Sequence, residues 1–218
     1  HTGEAICLVL LILRSTFCKD VKGMEITAAM VKELRSQTGA GIMECKSALK
    51  ETSGDLEAAV TFLRKKGLAK ADKKSDRQTG DGSVGTYIHA GNKLGVMVEL
   101  NCETDFVANT PDFQELVRDI AMHIAAAKPR FATRDEVTQE ILDKEKEIAA
   151  HQAKESGKPD NIIEKIVSGK MEKFYEENCV LEQPFIKDTN ITVEELVKQK
   201  IALLGENINI GRFARFEI

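Results

Sequence analysis

No tryptophan occurs in the sequence, and Phe with Tyr bring the aromatic share to only 5%. Surfaces that hold single-stranded nucleic acid stack bases on aromatic rings, so a platform of that kind is not expected. Positive charge is not in excess either. Lys and Arg number 31 against 35 Asp and Glu, for a formal net charge of -4, whereas a generic nucleic-acid coat needs a basic field. A local basic patch is still compatible with that balance. The cysteines are few and scattered: Cys7, Cys18, Cys45, Cys102 and Cys179. No two stand at C-x-x-C spacing, which excludes a zinc ribbon and a thioredoxin-type motif. An odd, dispersed set fits a reducing compartment, where cysteine serves as a small apolar residue. The usual chemical signatures are missing as well. There is no Walker loop, no G-x-G-x-x-G after a strand, no H-E-x-x-H and no G-x-S-x-G. No cofactor, no metal and no enzymatic activity are expected.

The run Ala5–Leu13 is apolar throughout, but far short of the roughly 20 residues that a helix needs to span a bilayer. Glu4 precedes it without Lys or Arg, and Ser15-Thr16-Phe17-Cys18 is not a clean small-residue cleavage site. Residues 1–23 therefore read as a targeting remnant or the product of a start placed too far upstream, with a genuine appendage as the third reading. No membrane contact is expected.

What is present is the material of a folded chain. The composition is 42% hydrophobic and 30% charged over 218 residues, enough for one or two domains with a real core. Residues 24–67 predict three short helices, at about Thr27–Gln37, Ile42–Thr52 and Leu56–Lys66. Thr38-Gly39-Ala40-Gly41 breaks the first from the second, and Asp55 is placed to cap the third. From about Lys65 to Gly82 bulky apolar residues almost vanish. The stretch 68–82 reads as a solvated linker whose start can be helical. The core, 83–218, starts with a hairpin, Val84–His89 and Leu94–Cys102, around Ala90-Gly91-Asn92-Lys93. A helix follows over Pro111–Ala127, with Phe113, Leu116, Val117, Ile120 and Ile124 as its buried stripe. Thr133-Arg134-Asp135-Glu136 reads as a capping box before a charged helix to about Glu155. Gly157-Lys158-Pro159 breaks it, and a second charged helix over Asn161–Glu177 completes a helical hairpin. Cys179–Phe185 predicts a strand, and Thr192-Val193-Glu194-Glu195 a second capping box. A closing strand from Asn207 sets Ile208, Ile210, Ala214, Phe216 and Ile218 on alternate positions, with Arg212 interrupting that face. The fold class is α+β.

The most informative stretch is Glu99-Leu100-Asn101-Cys102-Glu103-Thr104-Asp105-Phe106-Val107-Ala108-Asn109. Leu94, Val96, Val98 and Leu100 alternate as a half-buried strand does. The alternation then stops at a carboxylate followed by a ring. Asp105 and Phe106 could leave a rigid base to enter a partner. Equally, Asp105 could cap the next helix and Phe106 could fill the core. Spacing alone leaves both open.

This run resembles the second signature of the bacterial-type translation elongation factor Ts family. Leu34 to Leu49, LRSQTGAGIMECKSAL, resembles that family's first signature. The likeness extends from about Met24 to the C-terminus and includes Ala121-Met122-His123, Glu182-Gln183-Pro184-Phe185 and Gly205-Glu206-Asn207-Ile208-Asn209-Ile210. It implies that residues 24–67 form a ubiquitin-associated-like three-helix domain, followed by a dimerisation-type core. It implies guanine-nucleotide exchange on elongation factor Tu, without covalent chemistry, in the cytoplasm or the equivalent organelle stroma or matrix. Asp105 and Phe106 would insert beside the partner's magnesium site, the ring passing between helices of its nucleotide domain. Thr104 and Val107 would set and anchor the turn. His123, at the edge of the apolar stripe, would reach groups near the partner's phosphate loop. Ile42, Met43 and Lys46 would meet a helix of the partner, while Arg35 reads as structural. No direct nucleic-acid contact follows. Some short members pair as homodimers, which the likeness leaves open here.

Two departures from the family pattern stand out. Ile42 occupies a place where Met is frequent, a tolerable apolar exchange. Gly211 stands where a basic residue is common, beside Arg212, so a polar contact by that strand loses support. Bland alternatives persist for several residues: Ile42 and Met43 could complete the small bundle, and Lys46 could be merely solvated. His89 and His151 carry no motif. Two other functions compete with exchange: a translation- or ribosome-associated binding module without exchange activity, and a cysteine-dependent enzyme using Cys45 or Cys102 with a histidine.

Overall fold

The computed structural model describes residues 26–155 and 159–218. The apolar run at Ala5–Leu13 and the Gly157-Lys158 break lie outside the described residues. The chain divides into two compact units between Arg64 and Lys65.

The first unit holds three helices. Helix α1, Ala28–Thr38, starts at Thr27, whose Oγ1 accepts the Met30 N–H at 3.3 Å, and stops at Gly39 with φ 66°. That left-handed conformation is cheap only for glycine. Helix α2 is Ile42–Glu51. Helix α3, Leu56–Asp72, opens at Asp55, whose Oδ1 accepts the Ala58 N–H at 3.0 Å. Leu34, Cys45, Ala48, Leu49, Ala59 and Leu63 form the core of this unit. A core so small leaves some apolar side chains outside.

Helix α3 is longer than the pattern suggested: it runs into the stretch 68–82 read as a linker, most of which is exposed beyond Ala71. The helix continues to Asp72, and Ala71 is buried in the main core of the second unit. Beyond it, Asn207 Nδ2 donates to the Ser75 and Arg77 carbonyls at 3.1 and 2.8 Å, and Asn209 Nδ2 to Thr79 Oγ1 at 2.8 Å. Polar composition suggested a tether because the partners of this segment lie some 130 residues away, beyond what local pattern can register.

The second unit is built on an antiparallel sheet in the order β1-β2-β5. Strand β1 is Asp81–Ile88, β2 is Leu94–Cys102 and β5 is Ile208–Glu217. Helix α4, Asp105–Ala108, leaves the end of β2, and α5, Pro111–Ala127, crosses the inner face of the sheet. Pro111 sits in its first turn and Thr110 Oγ1 accepts the Phe113 N–H. The crossing is close. A Cβ on Gly85 would lie 2.1 Å from Val117 Cγ1, so the absent side chain is what lets α5 approach β1. Val96, Val98, Leu100, Phe113, Leu116 and Ile120 are all buried there. The hairpin and the buried stripe of α5 follow the expected pattern.

Strand β5 departs from it. The pairing with β2 shifts between Val98 and Leu100: Leu100 faces Ile210, but Val98 faces Phe213. One residue of β2, Glu99, therefore spans Gly211 and Arg212, a β-bulge that reverses the side-chain phase. Ile208 and Ile210 point inward, while Phe216 and Ile218 beyond the bulge are exposed. The single apolar face expected for this strand is thus two half-faces, and Arg212 marks the join.

Three other expectations are corrected. Thr133–Glu136 is no capping box: Thr133 makes no side-chain cap, Arg134–Glu136 is a 3-10 turn, and Glu136 Oε2 instead accepts the Ala132 N–H at 2.7 Å. Helix α6 begins only at Gln139 and runs to Glu155; α7 is Asp160–Asn178. Cys179–Phe185 is not a strand but a 3-10 turn, Val180–Glu182, leading into a two-residue strand β3, Pro184–Phe185. It pairs with β4, Asp188–Thr192. Helix α8, Val193–Leu204, carries the full capping box at Thr192 and Glu195 as read.

Candidate partner-binding site

Strand β2 ends at Cys102, whose buried thiol donates to the Thr104 carbonyl at 3.1 Å. The chain then turns through extended Thr104 into α4. Of the four residues of that helix, Val107 and Ala108 enter the main core, and Asp105 and Phe106 do not. The Phe106 ring is 83% exposed, so the reading in which it fills its own chain's core fails. The Asp105 carboxylate is exposed and takes no hydrogen bond or ion pair among the described residues; only its backbone carbonyl is used, by Asn109. A rigid base presenting an unspent carboxylate beside an unburied ring is therefore what the structure contains. Burying such a ring in a partner would contribute roughly 1.5–3 kcal/mol.

The base is braced from the other end of the chain. Glu206 accepts the Thr104 N–H at 3.0 Å and the Thr104 hydroxyl at 2.7 Å. Glu103 accepts the Asn207 N–H at 2.7 Å and Arg77 Nη1 at 3.3 Å. The Asn207 N–H, with help from Arg77, holds the Glu103 carboxyl below the usual carboxylate range. Glu206 and Asn207 stood out in the sequence only as part of the Gly205–Ile210 run that carries the family resemblance; nothing in it tied them to Thr104 or Glu103.

His123 is placed differently from expectation. It lies not at the edge of the α5 stripe but inside it, at 0% exposure. Its Nε2 is 2.9 Å from Gln183 Oε1, and its ring centroid is 6.1 Å from that of Phe185. Gln183 Nε2 donates to the Glu177 carbonyl at 2.7 Å, so Oε1 is the oxygen and the histidine must donate to it. The ring is neutral with its proton on Nε2. Burial depresses its pKa, an effect the Gln183 bond opposes. His123 cannot touch a partner in this arrangement.

In the N-terminal unit Ile42 and Met43 are 55% and 76% exposed, and Lys46 is exposed on the next turn of α2. They are not part of the bundle core. Ile42 and Lys46 line a shallow groove with Ile26, Val31, Lys32 and Arg35. Arg35, expected to be structural, is exposed in that groove. Apolar side chains beside three cations suit a helix that carries both apolar and acidic residues.

Nothing in either place resembles a reaction centre. Among the described residues no group of His, Cys, Asp and Glu is arranged to hold a metal. The described cysteines are all buried; burial pushes the Cys102 thiol up, and that of Cys179 up to about 11, the opposite of nucleophile activation. Among the described residues no helix is long and apolar enough to cross a membrane. The arrangement can bind and displace.

Comparison with known proteins identifies the family of the chain. The family model described as Elongation factor TS matches residues 27–218. The chain is 59% identical over 194 residues to an elongation factor Ts of Solibacter usitatus, covering 89% of this chain and 92% of that one. It is 57% identical over 195 residues to an elongation factor Ts of Fervidobacterium nodosum, covering 89% and 99%. With an elongation factor Ts of Geotalea uraniireducens it shares 60% identity over 195 residues, covering 89% and 90%.

Proposed function

Because the chain belongs to the elongation factor Ts family of translation elongation factors, we propose that it is a guanine-nucleotide exchange factor, which binds elongation factor Tu and promotes GDP release. The observation that carries the reading is the exposed Phe106 beside an unpartnered Asp105 on a turn anchored by buried Val107 and Ala108. Asp105 disturbs the partner's magnesium coordination and Phe106 separates the helices behind it. Ile42 and Lys46, in the groove on the N-terminal unit, grip a helix of the partner together with the exposed Met43. His123 acts at one remove, by fixing α5 against Gln183.

The mechanism is linkage. Whatever factor the chain takes from GDP affinity in the complex, GDP takes from the chain's affinity for its partner. No bond is made or broken by the chain itself. The partner is a protein and not a nucleic acid, in keeping with the net charge of -4. The setting is the cytoplasm or an organelle matrix or stroma where elongation factor Tu works.

The outer face of the sheet supports pairing of two copies. Ile88, Gly95 and Phe216 stand in one row across β1, β2 and β5, with Val84 and Met97 nearby. All four apolar side chains are at least half exposed, Phe216 at 68%. Soluble monomers seldom leave a contiguous sheet face of this character uncovered.

The deciding experiment measures release of fluorescent GDP from elongation factor Tu with and without the chain, at fixed magnesium. Acceleration that saturates with chain concentration is expected. Binding without acceleration would leave the exchange-free docking module as the correct reading.

A further inference from the structure

We infer that Glu206 is a positioning residue for the Asp105–Phe106 projection; the inference rests on the exchange reading and assigns it a residue in a distant part of the chain. Helix α4 has four residues, too few to hold its own shape in water. Its cap residue does not help. The Thr104 side chain makes no capping bond to α4, because its hydroxyl donates to Glu206 Oε1 at 2.7 Å while its N–H donates to Glu206 Oε2 at 3.0 Å. Both oxygens of one carboxylate are spent on one residue, the residue immediately before Asp105. Charge-assisted bonds of this length are the stronger kind.

Glu206 is itself held on either side. Gly205 ends α8 with φ 86°, and its carbonyl accepts Lys74 Nζ at 2.6 Å. Asn207 donates its N–H to Glu103 and its side-chain amide to the Ser75 and Arg77 carbonyls. Glu206 is thus the middle residue of a three-residue clamp fixed to the segment after α3. The projection is held by Val107 and Ala108 in the core on its trailing side, and on its leading side by Glu206 together with the Cys102 thiol on the Thr104 carbonyl. The exposed Phe106 ring adds no support. Without Glu206 the Thr104 N–H and hydroxyl lose their acceptor, the weak Cys102 thiol bond to the Thr104 carbonyl is what remains on that residue, and the carboxylate and ring reach the partner from a spread of positions.

The test uses the full chain with elongation factor Tu loaded with fluorescent GDP, and amide hydrogen exchange on the chain by itself. Glu206→Ala is expected to slow GDP release at saturating chain by about tenfold, as loss of alignment does, with little change in the half-maximal concentration. The Thr104–Ala108 amides should exchange faster while β2 keeps its protection. Glu206→Gln should recover most of the rate, because its amide oxygen takes the Thr104 N–H and its NH2 donates to the hydroxyl. Thr104→Val, which removes only the hydroxyl bond, should fall between. Wild-type release and wild-type amide protection in Glu206→Ala would overturn the inference, as would a Gln variant as slow as Ala or general loss of protection in β2. Phe106→Ala is measured alongside. If it too releases GDP at the wild-type rate, the exchange reading fails, and amide protection around Thr104 alone then judges the role of Glu206.

Discussion

His123 donates to Gln183 across 2.9 Å, and Gln183 passes the restraint to the end of α7 through the Glu177 carbonyl. The bond joins α5 to the base of the helical hairpin. It also leaves His123 Nδ1 buried without a hydrogen bond among the described residues. A second proton would have to go there, beside the Phe185 ring. Protonation is therefore costly in the folded chain and easy in the unfolded one.

That difference has a definite sign. Burial lowers the folded pKa of His123 from its ordinary 6.5. The unfolded chain then binds more protons just below that value, so stability rises with pH in this window. The contribution is complete above about pH 6.5 and lost as pH falls below it toward the depressed folded value. Urea unfolding at about pH 7 and pH 5.5 should show the loss, and His123→Gln should show a smaller one. Equal losses in both proteins would mean that some other group carries the pH dependence.

Phe106→Ala should leave the fold intact, because an exposed side chain in no core cluster contributes little. Thermal midpoints should agree closely, while the chain's acceleration of GDP release falls by about tenfold or more, matching 1.5–3 kcal/mol of lost burial in the partner. His123→Ala should instead lower stability by about 2–4 kcal/mol, since it empties a buried site and strands Gln183. The two variants therefore separate by readout: one damages exchange without the fold, the other the fold first. Stopped-flow GDP release and calorimetry on the same samples check the pair.

The pattern that exposed Asp105 and Phe106 in the sequence was local: alternation in β2 ending at a carboxylate and a ring. So were the helix starts at Asp55 and Thr192, each of which caps as read. What escaped were effects carried by distant residues. The bulge opposite Glu99 cannot be read from β5 alone, because the apolar alternation on either side of Gly211 looks continuous. A Cβ at Gly211 would stand 2.9 Å from Glu99 Oε1 and 3.1 Å from Asn101 Nδ2, ends of flexible side chains that can give way, so the bulge does not demand glycine; Arg212 pairs with Glu99 at 3.0 Å. Thr133 failed as a cap because Glu136 found the Ala132 N–H instead. His123 looked like a rim residue because the partner that buries it, Gln183, is 60 positions away.

The exposed row Ile88, Gly95 and Phe216 makes a prediction about assembly. Phe216→Lys places a charge on the exposed apolar face without disturbing the inner side of β5. Light scattering at increasing concentration should give the mass of two copies for the wild type and one for the variant. Circular dichroism should not distinguish them. A wild-type chain that stays at the mass of one copy would remove the pairing proposal and leave the face for another protein.

Arg134 offers a sharper test of what holds the helical hairpin to the core. Its Nε and Nη2 meet both Glu182 oxygens at 2.6 and 3.0 Å, Nη2 also meets Glu172 Oε2 at 2.9 Å, and the guanidinium lies 4.5 Å from the Tyr175 ring centroid. Glu172 and Tyr175 belong to α7; Glu182 belongs to the turn beyond it. One planar cation thus links the second hairpin helix to the chain entering β3. The group is partly exposed, with 41% of its side chain accessible, so solvent screening limits each pair to about 1 kcal/mol or less. The stacking on Tyr175 adds a similar amount. Arg134→Ala should therefore cost about 1–2 kcal/mol, the sum of several modest contacts. Arg134→Lys should recover little of it, because an ammonium cannot meet two carboxylate oxygens side by side or stack as a plane. The loss should shrink at high salt, but not vanish, since the stacking contribution survives screening. Denaturant unfolding of wild type, Arg134→Ala and Arg134→Lys at low and high salt checks each point; a Lys variant as stable as wild type would show that charge alone, not the guanidinium plane, makes the link.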